Sequence, residues 1–195
     1  SGACGNGTRC LAYFISEEIN KKEISLKTKS GILLSRILEK NFVETSIGYP
    51  KIDWKDIPLK KNMNTLNLGI KIEDYKRKIF TGGTAINVGN PHLIFFVEDI
   101  NNYDLKKIGS NLENDPLFPD RCNVTLAKVE NSKNISIRVW ERGAGLTKAC
   151  GSAACATAFA GKINNLTNDN VEIIFELGNL NINIEKNNLI KMKGP

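Results

Sequence analysis

Two short cysteine motifs, far apart in the chain, carry the residue types best suited to chemistry. Cys4 and Cys150 are each followed by glycine and a small polar residue, Asn6 or Ser152, and then by a helix-like stretch. This order predicts that each cysteine lies at a helix N-terminus, where free backbone N–H groups and the helix dipole favour negative charge. A thiol in that position is expected to have a lowered pKa and to act as a base or nucleophile near neutral pH.

A pair of thiols on two helix N-termini suits proton transfer on opposite faces of one carbon. One thiolate would remove a proton from the α-carbon of an amino acid, and a neutral thiol would return one to the other face. The result is racemisation or epimerisation, and the two thiols should titrate as a coupled pair. The substrate carboxylate would be held by backbone amides at both motifs. The residues placed to offer those amides are Gly5, Asn6, Gly151 and Ser152.

Other uses of the cysteines are less consistent with the sequence. A cysteine protease needs a histidine base; His92 is the only histidine, and its position at the start of a strand shows no sign of a triad. That position is equally consistent with a buried core residue and with a partner that tunes a thiol. Cys10 and Cys155 lie inside the predicted helices and are interpreted as small buried residues.

Composition argues against several broad classes of protein. The 195-residue chain has a net charge of +6, but its lysines are scattered and often lie near acids, unlike a nucleic-acid surface. No apolar run is long enough to cross a bilayer, and no signal peptide is visible. Five cysteines without a Cys-x-x-Cys pair argue against a disulfide framework and a zinc site. We therefore predict a protein of the reducing cytoplasm that binds a small molecule, not nucleic acid or a membrane.

Apolar periodicity predicts an α+β fold built mainly from antiparallel strands. Residues 23–47 alternate as the three strands of a meander, and residues 50–58 read as a linker. The five apolar residues of 93–97 indicate a strand that is buried on both faces. The helix that includes residues 156–161 has small residues all round, so a sheet curling around it could enclose it.

Three stretches together closely resemble the diaminopimelate epimerase family. They are residues 4–10, the Gly-Asn-Pro-His sequence of 89–92, and residues 141–152, which contain the second cysteine motif. The resemblance runs through the whole chain in order. It implies an enzyme that needs no pyridoxal phosphate or other cofactor and interconverts LL- and meso-diaminopimelate on the bacterial route to lysine and peptidoglycan. The fold it implies has two pseudo-symmetric domains, each a curled, mainly antiparallel sheet around a central helix.

The resemblance also implies a role for particular residues. Cys4 and Cys150 would be the acid–base pair, and His92 and Glu141 would lie close to the thiols and tune them. The residues implied for substrate binding are Gly5, Asn6, Asn90, Asn123, Glu141, Arg142, Gly151 and Ser152. Arg142 suits a carboxylate, because a guanidinium can bind one through two parallel hydrogen bonds.

The chain also differs from the family pattern. Leu146 stands where the family commonly has an acid, and Ala153 where it commonly has glycine. We expect a fragment that lacks the family's N-terminal segment and last strand. Its parts would be an incomplete N-terminal domain over 1–50 and a C-terminal domain over 51–195. Such a fragment could be inactive by itself, and its association into a homodimer is left open.

Three rival functions stay open at this point. Proline racemase and hydroxyproline epimerase use the same two-thiol logic, although four polar side chains at one site are excessive for proline. A non-catalytic binding protein on the same scaffold would not need both thiols. A redox sensor would form a reversible disulfide between Cys4 and Cys150.

Overall fold

The computed structural model describes residues 5–28, 31–39 and 41–195. In this part of the chain the α-helices are α1 (Gly5–Ile19), α2 (Leu105–Glu113) and α3 (Gly151–Ile163), and Ile100–Asn102 forms one 3₁₀ turn. The strands are β1 (Glu23–Thr28), β2 (Gly31–Glu39), β3 (Phe42–Gly48), β4 (Ile70–Glu73), β5 (Ile79–Gly82), β6 (Thr84–Asn87), β7 (Pro91–Phe96), β8 (Asn123–Asn131), β9 (Asn134–Glu141), β10 (Gly145–Thr147), β11 (Asn170–Phe175), β12 (Gly178–Ile184) and β13 (Ile190–Gly194).

One large sheet holds most of the strands. Its order is β1-β2-β3-β13-β12-β11-β9-β8-β7-β6, with β10 paired to β9, while β4 and β5 form a separate hairpin. Within the described residues, the pairs β9–β11 and β7–β8 are parallel and the other neighbours are antiparallel. Strand β13 pairs with β3, so the end of the chain joins the early meander to the rest of the sheet.

Helix α3 lies against the main core of this sheet. Ten of its 13 residues are buried, and its apolar side chains share one cluster with buried residues of seven strands, among them β7, β11 and β13. Alanine, glycine and other small residues on all sides allow such close enclosure, as the sequence predicts. A helix without a polar face is stable only when it is buried.

Helix α2 covers the opposite side of the sheet. Its N-cap, Asp104, accepts a hydrogen bond from the backbone N–H of Lys107 at 3.1 Å, which satisfies one of the free amides at that end. Its two buried leucines, Leu105 and Leu112, pack into a second cluster that includes Leu93, Phe95 and Leu126. Strands β7 and β8 are therefore buried between two helices, which confirms the prediction for residues 93–97.

The α+β class and the mainly antiparallel sheet predicted from the sequence are confirmed. The division into domains over 1–50 and 51–195 stays a prediction, and the β3–β13 ladder crosses that boundary. In the part of the chain described here, no helix has both the length and the apolar character needed to span a membrane.

Candidate functional site

A cavity of about 400 Å³ opens where two helix N-termini and several strand ends meet. Its volume lies in the range of small-molecule sites, roughly 300–1,000 Å³. The cavity is lined by Ala149, by Cys150, and by all eight predicted substrate-binding residues, namely Gly5, Asn6, Asn90, Asn123, Glu141, Arg142, Gly151 and Ser152. Cys4, the other predicted catalytic thiol, lies outside the described residues; α1 begins at the residue that follows it.

The order of the strands explains why residues remote in sequence meet at this cavity. Strands β7 and β8 are parallel, and their register sets His92 beside Asn123. Strand β9 runs antiparallel to β8 with Trp140 opposite Val124, so the end of β9 carries Glu141 to the start of β8. The starts of β7 and β8 and the end of β9 therefore lie side by side, and their polar side chains meet at this end of the strands.

His92 is fully buried and is not part of the cavity lining. Its Nε2 lies 3.0 Å from Asn90 Oδ1 and 3.5 Å from Asn123 Nδ2. Burial, and to a lesser extent the charge of Arg142, lowers the pKa of His92 to about 3, so the ring is neutral at neutral pH. A neutral ring nitrogen either donates or accepts, so the shorter contact assigns the Nε2 proton to Asn90 Oδ1, and the ring orients the Asn90 amide. Its predicted effect on a thiol stays a prediction.

Asn123 joins two parts of the cavity wall through bonds to the backbone. Its Nδ2 donates to the carbonyl of Pro91 at 2.9 Å, and its Oδ1 accepts from the backbone N–H of Arg142 at 3.0 Å. The Arg142 guanidinium in turn donates to the carbonyl of Asp120. Because both polar atoms of Asn123 have protein partners, this side chain fixes the start of the Arg142 turn as well as lining the cavity.

Cys150 is the N-cap of α3 and has extended backbone angles, as its motif predicts. The residue is 5% exposed, and its Sγ lies 3.4 Å from Ser152 Oγ. Burial raises the pKa of the Cys150 thiol to about 11, and the negative charge of Glu141 adds to the rise. Hydrogen bonds from Ser152 and from the backbone of Ala153 oppose it.

The expectation of a lowered pKa is therefore wrong for Cys150. The helix N-terminus is present, but desolvation of the thiolate and a neighbouring carboxylate outweigh its effect. Cys150 is a neutral thiol at neutral pH. In this state it is a proton donor rather than a base.

The N-termini of α1 and α3 meet beside one methionine. Met192 of β13 is fully buried. A Cβ on Gly5 would lie 2.5 Å from Met192 Cε, and a Cβ on Gly151 would lie 3.0 Å from Met192 Sδ. Arg9 of α1 donates to Met192 Sδ at 3.3 Å. Close packing of both helix ends on Met192 therefore explains why each motif has glycine after its cysteine.

Three residues that contact the segments lining the cavity were not singled out from the sequence. Glu113 bonds to Trp140 and Gly143, on either side of Glu141 and Arg142, and Met192 packs on both helix N-termini. Trp140 directly precedes a predicted site residue, and Met192 occupies an inward position of an alternating strand, so both positions carry a weak signal. Glu113 gives none, because an acid at the end of a helix is usually exposed. Among the described residues, no group of three or more histidine, cysteine or acidic residues could hold a metal ion.

Comparisons with known proteins identify the family. The sequence profile of diaminopimelate epimerase matches residues 84–195, which include Cys150 and most of the cavity lining. A diaminopimelate epimerase of Pelagibacter ubique is 60% identical over 195 residues, which is 100% of this chain and 71% of that protein. The chain belongs to the diaminopimelate epimerase family.

Two further comparisons agree with this membership. A diaminopimelate epimerase of Bartonella quintana is 40% identical over 194 residues, covering 99% of this chain and 67% of that protein. A crystal structure of a hydroxyproline epimerase from Agrobacterium vitis has a TM-score of 0.61 with 10% identity, covering 96% of this chain and 60% of that one. At so low an identity this likeness bears on the fold alone.

Proposed function

We propose that this chain inverts one α-carbon of diaminopimelate and so interconverts the LL and meso forms on the route to lysine and peptidoglycan precursors. The observation that carries the proposal is one cavity lined by a buried thiol, two helix N-termini and four polar side chains. Membership of the diaminopimelate epimerase family supports this choice of substrate. Diaminopimelate has an ammonium and a carboxylate at each end, which suits a cavity with polar groups throughout.

The proton transfer uses two thiols on opposite faces of the α-carbon. Cys4 removes the proton as a thiolate, and Cys150, which is neutral, donates its proton to the other face of the carbanion. In the reverse direction the two thiols exchange roles. After one transfer Cys4 carries the proton and Cys150 is the thiolate, so the pair is set for the reverse reaction, and the negative charge of Glu141 favours return of a proton to Cys150.

The carboxylate next to the reacting carbon is held between the two helix N-termini. Backbone N–H groups in the first turn of a helix have no partner within that helix and attract an anion. They also stabilise the charge that moves onto the carboxylate as the proton leaves. In the described structure, Asn6 Oδ1 is buried without a hydrogen-bond partner, and this acceptor suits the substrate ammonium.

The far end of the substrate is bound by the polar wall of the cavity. Arg142 lines the cavity and can bind the second carboxylate. Asn90, held by His92, and Asn123 complete that wall. Proline has no second charged end, so it would leave the guanidinium of Arg142 without the carboxylate that this wall can bind.

The test is to incubate the chain with LL-diaminopimelate in deuterium oxide. We expect meso-diaminopimelate with deuterium at the inverted carbon, and loss of this product for Cys150→Ala. The matched control is Cys122→Ala, since Cys122 is also a buried free thiol but does not line the cavity. Inversion of proline or hydroxyproline in place of diaminopimelate would overturn the substrate assignment.

We also propose that the protein works in a reducing compartment, the cytoplasm. Cys10, Cys122, Cys150 and Cys155 are free thiols in the structure, and the proposed chemistry needs free thiols. Association into a homodimer stays a prediction, and sedimentation of the purified chain would test it.

A further inference from the structure

A buried carboxylate lies behind the cavity wall without being part of its lining. Glu113, the last residue of α2, is 5% exposed. Its Oε1 accepts from the backbone N–H of Gly143 at 2.8 Å and from Arg121 Nη1 at 3.1 Å. Its Oε2 accepts from the indole Nε1 of Trp140 at 2.7 Å. Three donors, two from the segment 140–143 and one from Arg121, therefore converge on one carboxylate.

Two of these donors flank the residues that matter most at the cavity. Trp140 and Gly143 stand on either side of Glu141 and Arg142, both of which line it. The turn between β9 and β10 is closed by a bond from Ala144 N to the carbonyl of Glu141 at 3.0 Å. Glu113 thus holds both ends of the short segment that presents the Glu141 and Arg142 side chains.

Helix α2 is shaped to receive the indole ring of Trp140. A Cβ on Gly109 would lie 2.3 Å from Trp140 Cγ, so only glycine leaves room for the ring at that position. Gly109 and Glu113 are four residues apart and share one face of the helix. One residue provides the space for Trp140 and the other the hydrogen-bond acceptor, so both the position and the rotation of the indole are set by α2.

We propose that Glu113 is a positioning residue that fixes the Trp140–Gly143 segment, so that Glu141 and Arg142 keep the geometry needed to bind diaminopimelate. The inference rests on the proposed function for the identity of the ligand. Glu113 does not touch the substrate. Its effect reaches substrate binding through Arg142, which binds the far end, and it reaches the Cys150 thiol through Glu141.

Glu113→Gln tests this with almost no change in side-chain size. The amide group of glutamine would point a donor at Trp140 or at Gly143 and Arg121, so one set of bonds is lost. We expect the dissociation constant for meso-diaminopimelate, measured by titration, to rise about 10-fold or more, because a buried donor left unpaired is costly. Glu98→Gln is the control, since Glu98 is exposed and the charge change is the same.

The indole N–H resonances give a readout that does not depend on the ligand. The chain has two tryptophans, so Trp54→Phe assigns the Trp140 signal by elimination. In Glu113→Gln we expect the Trp140 indole proton to shift and to exchange faster with solvent, while the Trp54 signal stays in place. An unchanged Trp140 signal, or an unchanged dissociation constant, overturns the inference.

Trp140→Phe keeps the test decisive if Glu113→Gln does not fold. It retains an aromatic ring against Gly109 and removes the indole donor together with part of the ring, a loss of volume that Trp54→Phe matches. We expect the dissociation constant to rise about 3-fold, against no change for Trp54→Phe, and we expect the effect to be non-additive with Glu113→Gln. A rise for both tryptophan variants alike contradicts the inference. A wild-type chain that binds diaminopimelate without inverting it contradicts the proposed function instead.

Discussion

Helices α1 and α3 begin with the same motif but are supported very differently. In α3, ten of 13 residues are buried, whereas in α1 only Thr8, Arg9, Ala12 and Ser16 are buried among 15 residues. Cys155 of α3 is buried, as predicted, but Cys10 of α1 is exposed, so the prediction of a buried Cys10 is wrong. Helix α1 packs on the three strands of the early meander, and Leu11 and Phe14 on its other side are 49% and 62% exposed. Helix α3 is held from several directions and α1 from one.

The comparison shows that the same cysteine–glycine motif can begin a helix that is enclosed by the sheet and a helix that is mostly exposed. The glycine after each cysteine allows close contact with the end of the Met192 side chain at both helix N-termini, whatever the packing of the rest of the helix. Small residues along α3 reflect enclosure by the sheet, and larger apolar residues along α1 reflect a single packed face. The chemistry therefore depends on the first turn, and stability depends on the turns that follow.

The largest effect should come from removing either thiol. We expect Cys4→Ala and Cys150→Ala each to lower epimerisation about 10³-fold or more, because each thiol serves one face of the carbon and general acid–base groups contribute about 10²–10⁴-fold. Equal losses of epimerisation rate in the two variants would show that both cysteines contribute equally, although α3 is buried and α1 is mostly exposed. Release of meso-diaminopimelate measures this, and retained activity in Cys4→Ala would rule out the two-thiol mechanism.

Met192→Ala should disturb both helix N-termini at once. Met192 is fully buried and contacts both motifs, so we expect its truncation to lower the free energy of unfolding by about 2–5 kcal/mol. Met63→Ala is the matched control, since Met63 is only partly buried and packs in the other core. Urea unfolding measures the difference, and an equal loss for both variants would argue against a special role for Met192.

Overpacking α3 should cost more than altering the exposed side of α1. Ala158 is fully buried, and we expect Ala158→Leu to destabilise the protein by about 1–3 kcal/mol because the core has no room for the added carbons. Leu11→Ala changes an exposed residue, and its effect should stay within about 0.5 kcal/mol. A larger loss for Leu11→Ala than for Ala158→Leu would mean that the apolar side of α1 is covered in solution.

The change expected to be smallest near neutral pH is at His92, which should keep one protonation state there. Its pKa in the folded chain is about 3, below the ordinary value of 6.5, so the unfolded chain takes up a proton first as pH falls. This contribution to stability is present above about pH 6.5 and is lost as pH falls towards 3. Since His92 is the only histidine, its ring C2 proton is a direct probe, and we expect no titration between about pH 8 and pH 5.

His92→Gln serves as the reference for the stability measurement. The difference in unfolding free energy between the wild type and this variant should shrink as pH falls from about 6.5, because only the wild type loses the contribution of a neutral buried ring. A ring proton that titrates near pH 6.5 would instead place His92 in contact with solvent.

Much of this site was predictable because its residues lie in short segments with strong local signals. The cysteine and glycine motifs predict both helix N-termini, and the continuous apolar run of 93–97 predicts strand β7, which carries His92. The pKa of Cys150 was not predictable, because it depends on how deeply α3 is buried and on the charge of Glu141. Glu113 was missed for a similar reason. The three groups that donate to its carboxylate come close to it only in the folded chain.

Met192 also has a consequence for how movement could reach the site. It lies in β13, which inserts between β3 and β12 and so joins the early meander to the rest of the sheet. The same side chain lies next to Gly5 and Gly151, the glycines of the two cysteine motifs. A sliding of β13 against either neighbour would therefore be transmitted to both motifs at once.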